Sequence, residues 1–390
     1  MSPYIFCFII SFIFFYLAEK IKTNKLIYGF LSFMGILTLC LLAGLRSENI
    51  GTDIQTYTKP IYTAAKSANS FSDYLTSSWY ALWRYKYVGE FEIGFTTLIY
   101  IVTKIFNSFF AVLFSIEFFI IVPIYFALKK LKRKVNIPFG MLVFCLMFYN
   151  VTLNIMRQWI AMAFVLYAFS CITAKEKKRA ILSIIIGMLF HISAIISVPI
   201  YSIFVFATNR RGANLCKTYR IRIGNLTISL DQSMQRTLMT LIIGLLLMTF
   251  INTFASALRN IGLVEYASYI TGDAIFSIES FIVRLPILMI FLKYRYIFVQ
   301  ANLNGSFYIG MFLFEILTSQ LSGITSQSWR ISAWFSMFYI LSFPQLLCEI
   351  KHKVEKRLTL LLIIFYMIIY WIYYYIYIGS HATVPYQLYF

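Results

Sequence analysis

Long apolar runs separated by short hydrophilic breaks dominate this chain. The runs lie near 3–18, 26–45, 107–128, 137–150, 155–174, 180–190, 192–206, 237–257, 279–297, 305–321, 331–348 and 358–378. About 20 apolar residues in a helix cross ~30 Å of hydrocarbon. The pattern therefore predicts an all-α, polytopic integral membrane protein with about 12 transmembrane helices, forming a single membrane domain over 1–390. The runs at 180–190 and 192–206 are short, so this stretch is expected to be broken or half-depth. A single long span there would leave Arg210, Arg211 and four further basic residues on the outside, which favours a hairpin. A full crossing at 92–106 would likewise place Lys129 to Lys134 outside, so that segment is read as re-entrant or interfacial. Irregular backbone at membrane depth needs cover from protein or a watery cavity, which points to a cavity on the outer side.

Composition supports this reading: 60% of the 390 residues are hydrophobic and only 13% charged, far from a soluble domain. The net charge of +19 admits nucleic acid, anionic lipid or membrane topology as its cause, and its distribution decides. Twenty-four of the 34 basic residues and five of the 15 acidic ones fall in the breaks assigned to the cytoplasm. The whole excess is thus a positive-inside signature, and no nucleic-acid partner is needed to explain it. Segments 46–92 and 258–278 are then the main outer loops, and both termini are expected outside. The run Tyr4 to Leu17 lacks a basic region before it and a small-x-small cleavage site, so it reads as an uncleaved first span. The six cysteines show no paired spacing, which argues against a disulfide framework or a thiolate metal site.

Polar residues at membrane depth are costly unless paired, which makes each a functional candidate. Arg46 opens a segment that leads through Gly51-Thr-Asp53 to Tyr57. Taken alone, it suits an interfacial anchor followed by a turn. Arg157 and Gln158 stand at the outer start of a helix, where backbone N–H groups and a forked guanidinium together would cradle a diphosphate. An anchoring arginine paired with Glu90 or Glu92 is the plainer reading of the same position. His191, in Phe190-His-Ile-Ser-Ala194, suits a general base or phosphate donor, or else a core histidine with its hydrogen bonds satisfied. Arg284 and Arg330 mark the outer ends of two further spans. Glu117 and Glu315 fall inside spans, where a glutamate either pairs with an arginine or carries a proton; Glu315 with Arg330 or Arg157 is one such expected pair. Arginines gathered on one face with few acids would suit a phosphate-bearing substrate. No Walker loop, nucleophile elbow or metal-ligand run is found, so no cofactor or metal is expected and the leaving group would be carried by the substrate.

As a set, Arg46 with Gly51-Thr-Asp-Ile-Gln-Thr-Tyr57, Glu92-Ile-Gly-Phe95, Arg157-Gln158 with Ala161, Phe190-His-Ile-Ser-Ala194, Arg330 and Val384-Pro-Tyr386 resemble the EpsG family. That family groups with the Wzy-type polymerases of O-antigen, capsule and exopolysaccharide. The resemblance implies a metal-independent enzyme of the bacterial inner membrane, active on the periplasmic face. It would transfer a growing glycan from undecaprenyl diphosphate to a new lipid-linked repeat unit, with a chain-length regulator protein as a further partner. In that picture Arg157 and Arg330 serve the donor diphosphate and Arg46 that of the acceptor, with Gln158 and Arg284 as further diphosphate-binding residues. His191 or Asp53 is the base, and Tyr57, Glu92 and Tyr386 are secondary site residues. Competing readings are a lipid-linked oligosaccharide flippase, an O-antigen ligase, a metal-dependent glycosyltransferase and an acyltransferase. A flippase would place its polar residues at mid-depth, often within internal repeats, whereas here they gather at outer helix ends.

Overall fold

A computed structural model describes residues 1–131, 135–208, 219–223, 226–230, 277–301, 304–320 and 328–388. The span expected at 237–257, nearly all of the outer segment 258–278, and the basic residues Arg210, Arg211 and Lys217 lie outside the described residues. Among the described residues the fold is all-α with two small β-hairpins. Six of its described helices are long and apolar enough to cross a membrane, and shorter apolar helices accompany them. The protein is a multi-pass integral membrane protein. Phe6, Leu26, Phe30 and Phe365 are among the large apolar side chains left exposed on these helices, as lipid-facing positions require.

The described chain divides into two compact units. The first comprises Met1–Ser197, Phe343–Cys348 and Ile364–Phe390. Helices α1 (Ser2–Lys20) and α2 (Lys25–Gly44) pack together; Asn24 caps α2 by accepting from Leu26 N and Ile27 N. The segment after Arg46, expected as an outer loop, is folded. It holds a π-helical turn (Ile54–Thr58), α3 (Lys59–Ser67), α4 (Phe71–Thr76) and a hairpin of β1 (Ser78–Ala81) with β2 (Arg84–Tyr87). Helix α5 (Ile93–Phe106) has 14 residues, about 21 Å, which is short of the hydrocarbon thickness. Asn107, in the left-handed region, ends α5, and the Ser108 side chain caps α6 (Phe109–Lys130). At its other end, Lys130 bonds Glu176 at 2.7 Å.

The run 137–152 is helical but irregular: α7 (Ile137–Val143), a π-helical stretch (Phe144–Phe148) and the single turn α8 (Tyr149–Thr152). Leu153 to Ile155 interrupt it before α9 (Met156–Thr173). Helix α10 (Lys177–Phe190) stops at His191, whose backbone is extended. A 3₁₀ turn (Ile192–Ile196) and α11 (Ser197–Thr208) follow, so the stretch 180–206 is broken as its short apolar runs imply. The C-terminal helix returns to this unit: Trp371 Nε1 donates to Asn150 Oδ1 (2.8 Å) and the Tyr375 hydroxyl to Met147 O (2.7 Å).

The second unit comprises Val198–Ser342 and Glu349–Ile363. It contains a hairpin of β3 (Tyr219–Ile223) with β4 (Leu226–Leu230), together with α12 (Ile278–Ala301), α13 (Gly305–Ser319) and α14 (Ser328–Ser336). Parts of α15 (Tyr339–Glu349) and α16 (Lys353–Trp371) complete it. Inside it, Tyr294 bonds Glu355 and Thr359, at 3.1 and 2.7 Å.

Candidate functional site

Two polar clusters form in the first unit, one at the start of α9 and one on the helix interruption at 153–155. The first is built on Arg157, the second residue of α9, and Glu92, the residue immediately before α5. Arg157 Nη1 donates to Glu92 Oε2 at 2.5 Å. Its guanidinium also lies 4.8, 5.8 and 6.0 Å from the ring centres of Phe91, Tyr57 and Phe95. Such cation–π contacts hold a planar cation in place without neutralising it. Phe91 is fixed in turn by stacking on Trp79 (5.7 Å) and meeting Tyr57 edge-on (5.6 Å). Burial pushes the Glu92 carboxyl up, but the charges of Arg157 and His191 and its hydrogen bonds outweigh this. The net result is a carboxyl below the usual glutamate range.

His191 joins this cluster with Nδ1 3.9 Å from Glu92 Oε1. Its approach depends on Gly94: a Cβ there would sit 2.7 Å from Leu189 O, so only glycine lets the start of α5 lie against the end of α10. Nδ1 accepts from Ser193 N (3.1 Å), with the Ser193 hydroxyl 2.7 Å away. When the ring is neutral, acceptance from Ser193 N at Nδ1 puts its one hydrogen on Nε2.

The second cluster is centred on Asn154. Its Oδ1 accepts from Thr52 Oγ1 (3.0 Å) and Asp53 N (2.9 Å), while Nδ2 donates to His381 Nδ1 (3.1 Å). Gly51, at φ +92°, makes the turn possible, since a Cβ would fall 2.6 Å from Leu153 O. Arg46 is 1% exposed. Its Nη2 contacts Leu153 O (3.2 Å) and Met156 Sδ (3.4 Å), whereas Nε and Nη1 find no hydrogen-bond partner among the described residues. Burial pulls the guanidinium's pKa down and the nearby charge of Glu117 opposes this. The chain's last residues close over this cluster: Ser47 N donates to Gln387 O (2.8 Å) and the Tyr386 hydroxyl to Leu42 O (2.7 Å). Burial pushes the Tyr386 phenol up to about 12, partly opposed by Arg46.

The residues singled out from sequence are distributed as follows. Tyr57, Glu92, Arg157 and His191 meet in the first cluster; Asp53 and Arg46 join the second, and Tyr386 fastens the tail beside it. Gln158 is buried next to Arg157 on α9. Arg284 and Arg330 belong to the second unit. There Arg284 Nε donates to Glu315 Oε1 at 2.5 Å and Nη1 to Ser280 O at 2.7 Å, and Arg330 lies 5.4 Å from the Trp329 ring centre. The expected pairing of Glu315 with Arg330 or Arg157 is therefore corrected. Its partner is Arg284, because α12 and α13 pack side by side, and its second oxygen accepts from the Tyr339 hydroxyl at 3.0 Å. Glu90 pairs with Arg84 (3.6 Å) and leaves Arg157 to Glu92. Asn154, Gly94, Phe91 and His381 were not singled out as site residues. An asparagine between two apolar runs is a signal for the first; nothing in the pattern marks a histidine nine residues before the end of the chain. Among the described residues no three His, Cys, Asp or Glu side chains gather as a metal ion would require.

No curated protein and no solved structure matches this chain. The family model of the EpsG family matches residues 29–388, nearly the whole length. The matched region contains both clusters. The chain belongs to the EpsG family of polysaccharide-polymerase-like proteins and is a membrane protein of polysaccharide biosynthesis.

Proposed function

We propose that the protein polymerises lipid-linked repeat units on the outer face of the bacterial inner membrane. It transfers the growing glycan from undecaprenyl diphosphate to a hydroxyl of the next lipid-linked unit. The observation that carries this reading is Arg157 at the start of α9, held between one carboxylate and three aromatic rings. A diphosphate exchanges for Glu92 as the partner of that guanidinium, with the first N–H groups of α9 directed at the same place.

In the reaction the acceptor oxygen bonds to the anomeric carbon while the bond from that carbon to the diphosphate oxygen breaks. The electron pair leaves with the polyprenyl diphosphate, whose growing charge Arg157 stabilises; loss of such a donor costs ~10²–10³ in rate. His191 donates from Nε2 to an oxygen of the diphosphate or glycan. Asp53, in the neighbouring Asn154 cluster, takes the acceptor's proton. Arg46, buried behind the 153–156 turn, holds Leu153 O and so positions the start of α9.

The test is an electrophoretic profile of surface glycan from the host with the gene deleted and then restored. Collapse of the ladder to single repeat units, reversed by restoration, is expected. Loss of even the single unit would indicate a flippase, and full polymer retained on its carrier would indicate a ligase.

A further inference from the structure

An open apolar groove of about 250 Å³ runs along the first unit between α6 and α9. Phe119, Val122, Pro123 and Phe126 line it from α6, at spacings that form one stripe, and Phe164 and Tyr167 line it from α9. The two helices run in the same direction. Thr152, just before α9, bonds Glu117 of α6 at one end, and Lys130 bonds Glu176, just after α9, at the other. The groove starts beside the first cluster: Phe190, the residue before His191, stacks on Phe164 (6.3 Å, 6°) and lies 5.7 Å from Phe119. Phe164 and Tyr167 follow Arg157 by seven and ten residues on α9, about 10 and 15 Å along the helix axis.

Resting on the reading above, we infer that this groove holds the isoprenoid chain of the polyprenyl-diphosphate substrate, with the diphosphate at Arg157 and the chain descending between α6 and α9. The groove is smaller than the ~300–1,000 Å³ that encloses a drug-sized ligand, so it takes a length of chain and no head group. Apart from the Tyr167 hydroxyl, its lining is aromatic and aliphatic, a poor match for sugar or phosphate. The polar end of its ligand must lie outside it, and its upper end abuts the cluster that binds an anion. Ordinary phospholipid is the competing occupant.

The experiment uses the purified full chain in phospholipid nanodiscs with a polyprenyl diphosphate carrying a diazirine on its isoprenoid chain. Cross-linked residues are mapped by mass spectrometry. Adducts on the lining residues of α6 and α9, reduced at least tenfold by unlabelled polyprenyl diphosphate and by Val122→Trp, are expected. Adducts confined to other surfaces, or labelling unaffected by the competitor and matched by a diazirine-bearing phosphatidylglycerol, would overturn the assignment. Should Val122→Trp fail to give a monodisperse protein, competition in the unmodified protein decides alone. Polymerisation is scored separately: labelling in the groove of a protein that makes no polymer would leave the groove standing and remove the proposed reaction.

Discussion

Arg157 and Glu92 face each other at 2.5 Å across two helix starts that lie 65 residues apart in sequence. Each side chain is about one-fifth to one-quarter exposed, so the pair is partly desolvated yet open to exchange. A dianionic ligand outcompetes a single carboxylate for the guanidinium, and the aromatic rings keep that guanidinium aimed while it changes partner. Arg157→Lys keeps the charge but loses the fork and the planar stacking. Expected is a fall in polymerisation of about tenfold or more for the lysine variant and ~10²–10³ for alanine, measured at equal protein level. Wild-type rates in the lysine variant would contradict the role given to the planar group.

The pH dependence of this pair follows from its sign. The Glu92 carboxyl is lowered in the folded protein relative to its ordinary value of about 4.3. Its contribution to stability is therefore complete above that value and is lost as the pH falls through the lower, folded-state one. In thermal melts between neutral pH and pH 3, the advantage of wild type over Glu92→Gln should shrink at the acid end. A constant difference would show that the carboxylate's charge is not what stabilises the contact.

Gly94 sets how closely α5 approaches the end of α10. In Gly94→Ala the new methyl meets a backbone carbonyl, which has no rotamer to yield, so one helix must shift. A destabilisation of about 1–3 kcal/mol is expected, with activity falling more than tenfold because His191 and Glu92 separate. Unchanged melting and activity would show that the two helices have slack there.

Asn154 is buried and serves three partners at once. Asn154→Ala leaves them short of hydrogen bonds, at a cost of about 1–3 kcal/mol. Asn154→Asp keeps the acceptor oxygen but loses the N–H donated to His381. It should then hold His381 only in the protonated form, which raises that histidine's pKa. The recovered stability would be present below the ordinary histidine value, about 6.5, and lost as the pH rises through the folded-state value. A melting profile of the aspartate variant that does not depend on pH in this range would rule the contact out.

Arg46 and Glu117 are both buried and attract each other electrostatically without a direct hydrogen bond among the described residues. Removing one charge leaves the other uncompensated, so Arg46→Met should destabilise by about 3–5 kcal/mol. The double variant Arg46→Met/Glu117→Gln should recover most of that loss. Additive losses in the double-mutant cycle would show that the two residues act independently.

Much of this arrangement was legible in the sequence for a physical reason. Arg157, His191 and Glu92 sit at the ends of apolar runs, where a polar residue stands out against its surroundings. The break at 180–206 followed from runs too short to cross a bilayer. Pairing was less legible, because two glutamates and several arginines at similar depth admit many matches. Only the packing of α12 on α13 selects Arg284 for Glu315. The folded segment 59–90 and the return of the tail to Asn154 were hidden for another reason. Short helices and a two-stranded hairpin carry too few residues for a periodic signal, and contacts from the end of the chain leave no local trace.

The Arg157 cluster is the proposed site of transfer of polyprenyl-diphosphate-linked glycan. Its most direct test is polymer formation by the purified protein in liposomes supplied only with lipid-linked repeat units, for wild type and Arg157→Ala side by side. Wild type should give a ladder of chain lengths and the variant single units, at a turnover lower by ~10²-fold or more, the variant still melting cooperatively. Equal ladders from both proteins would contradict it.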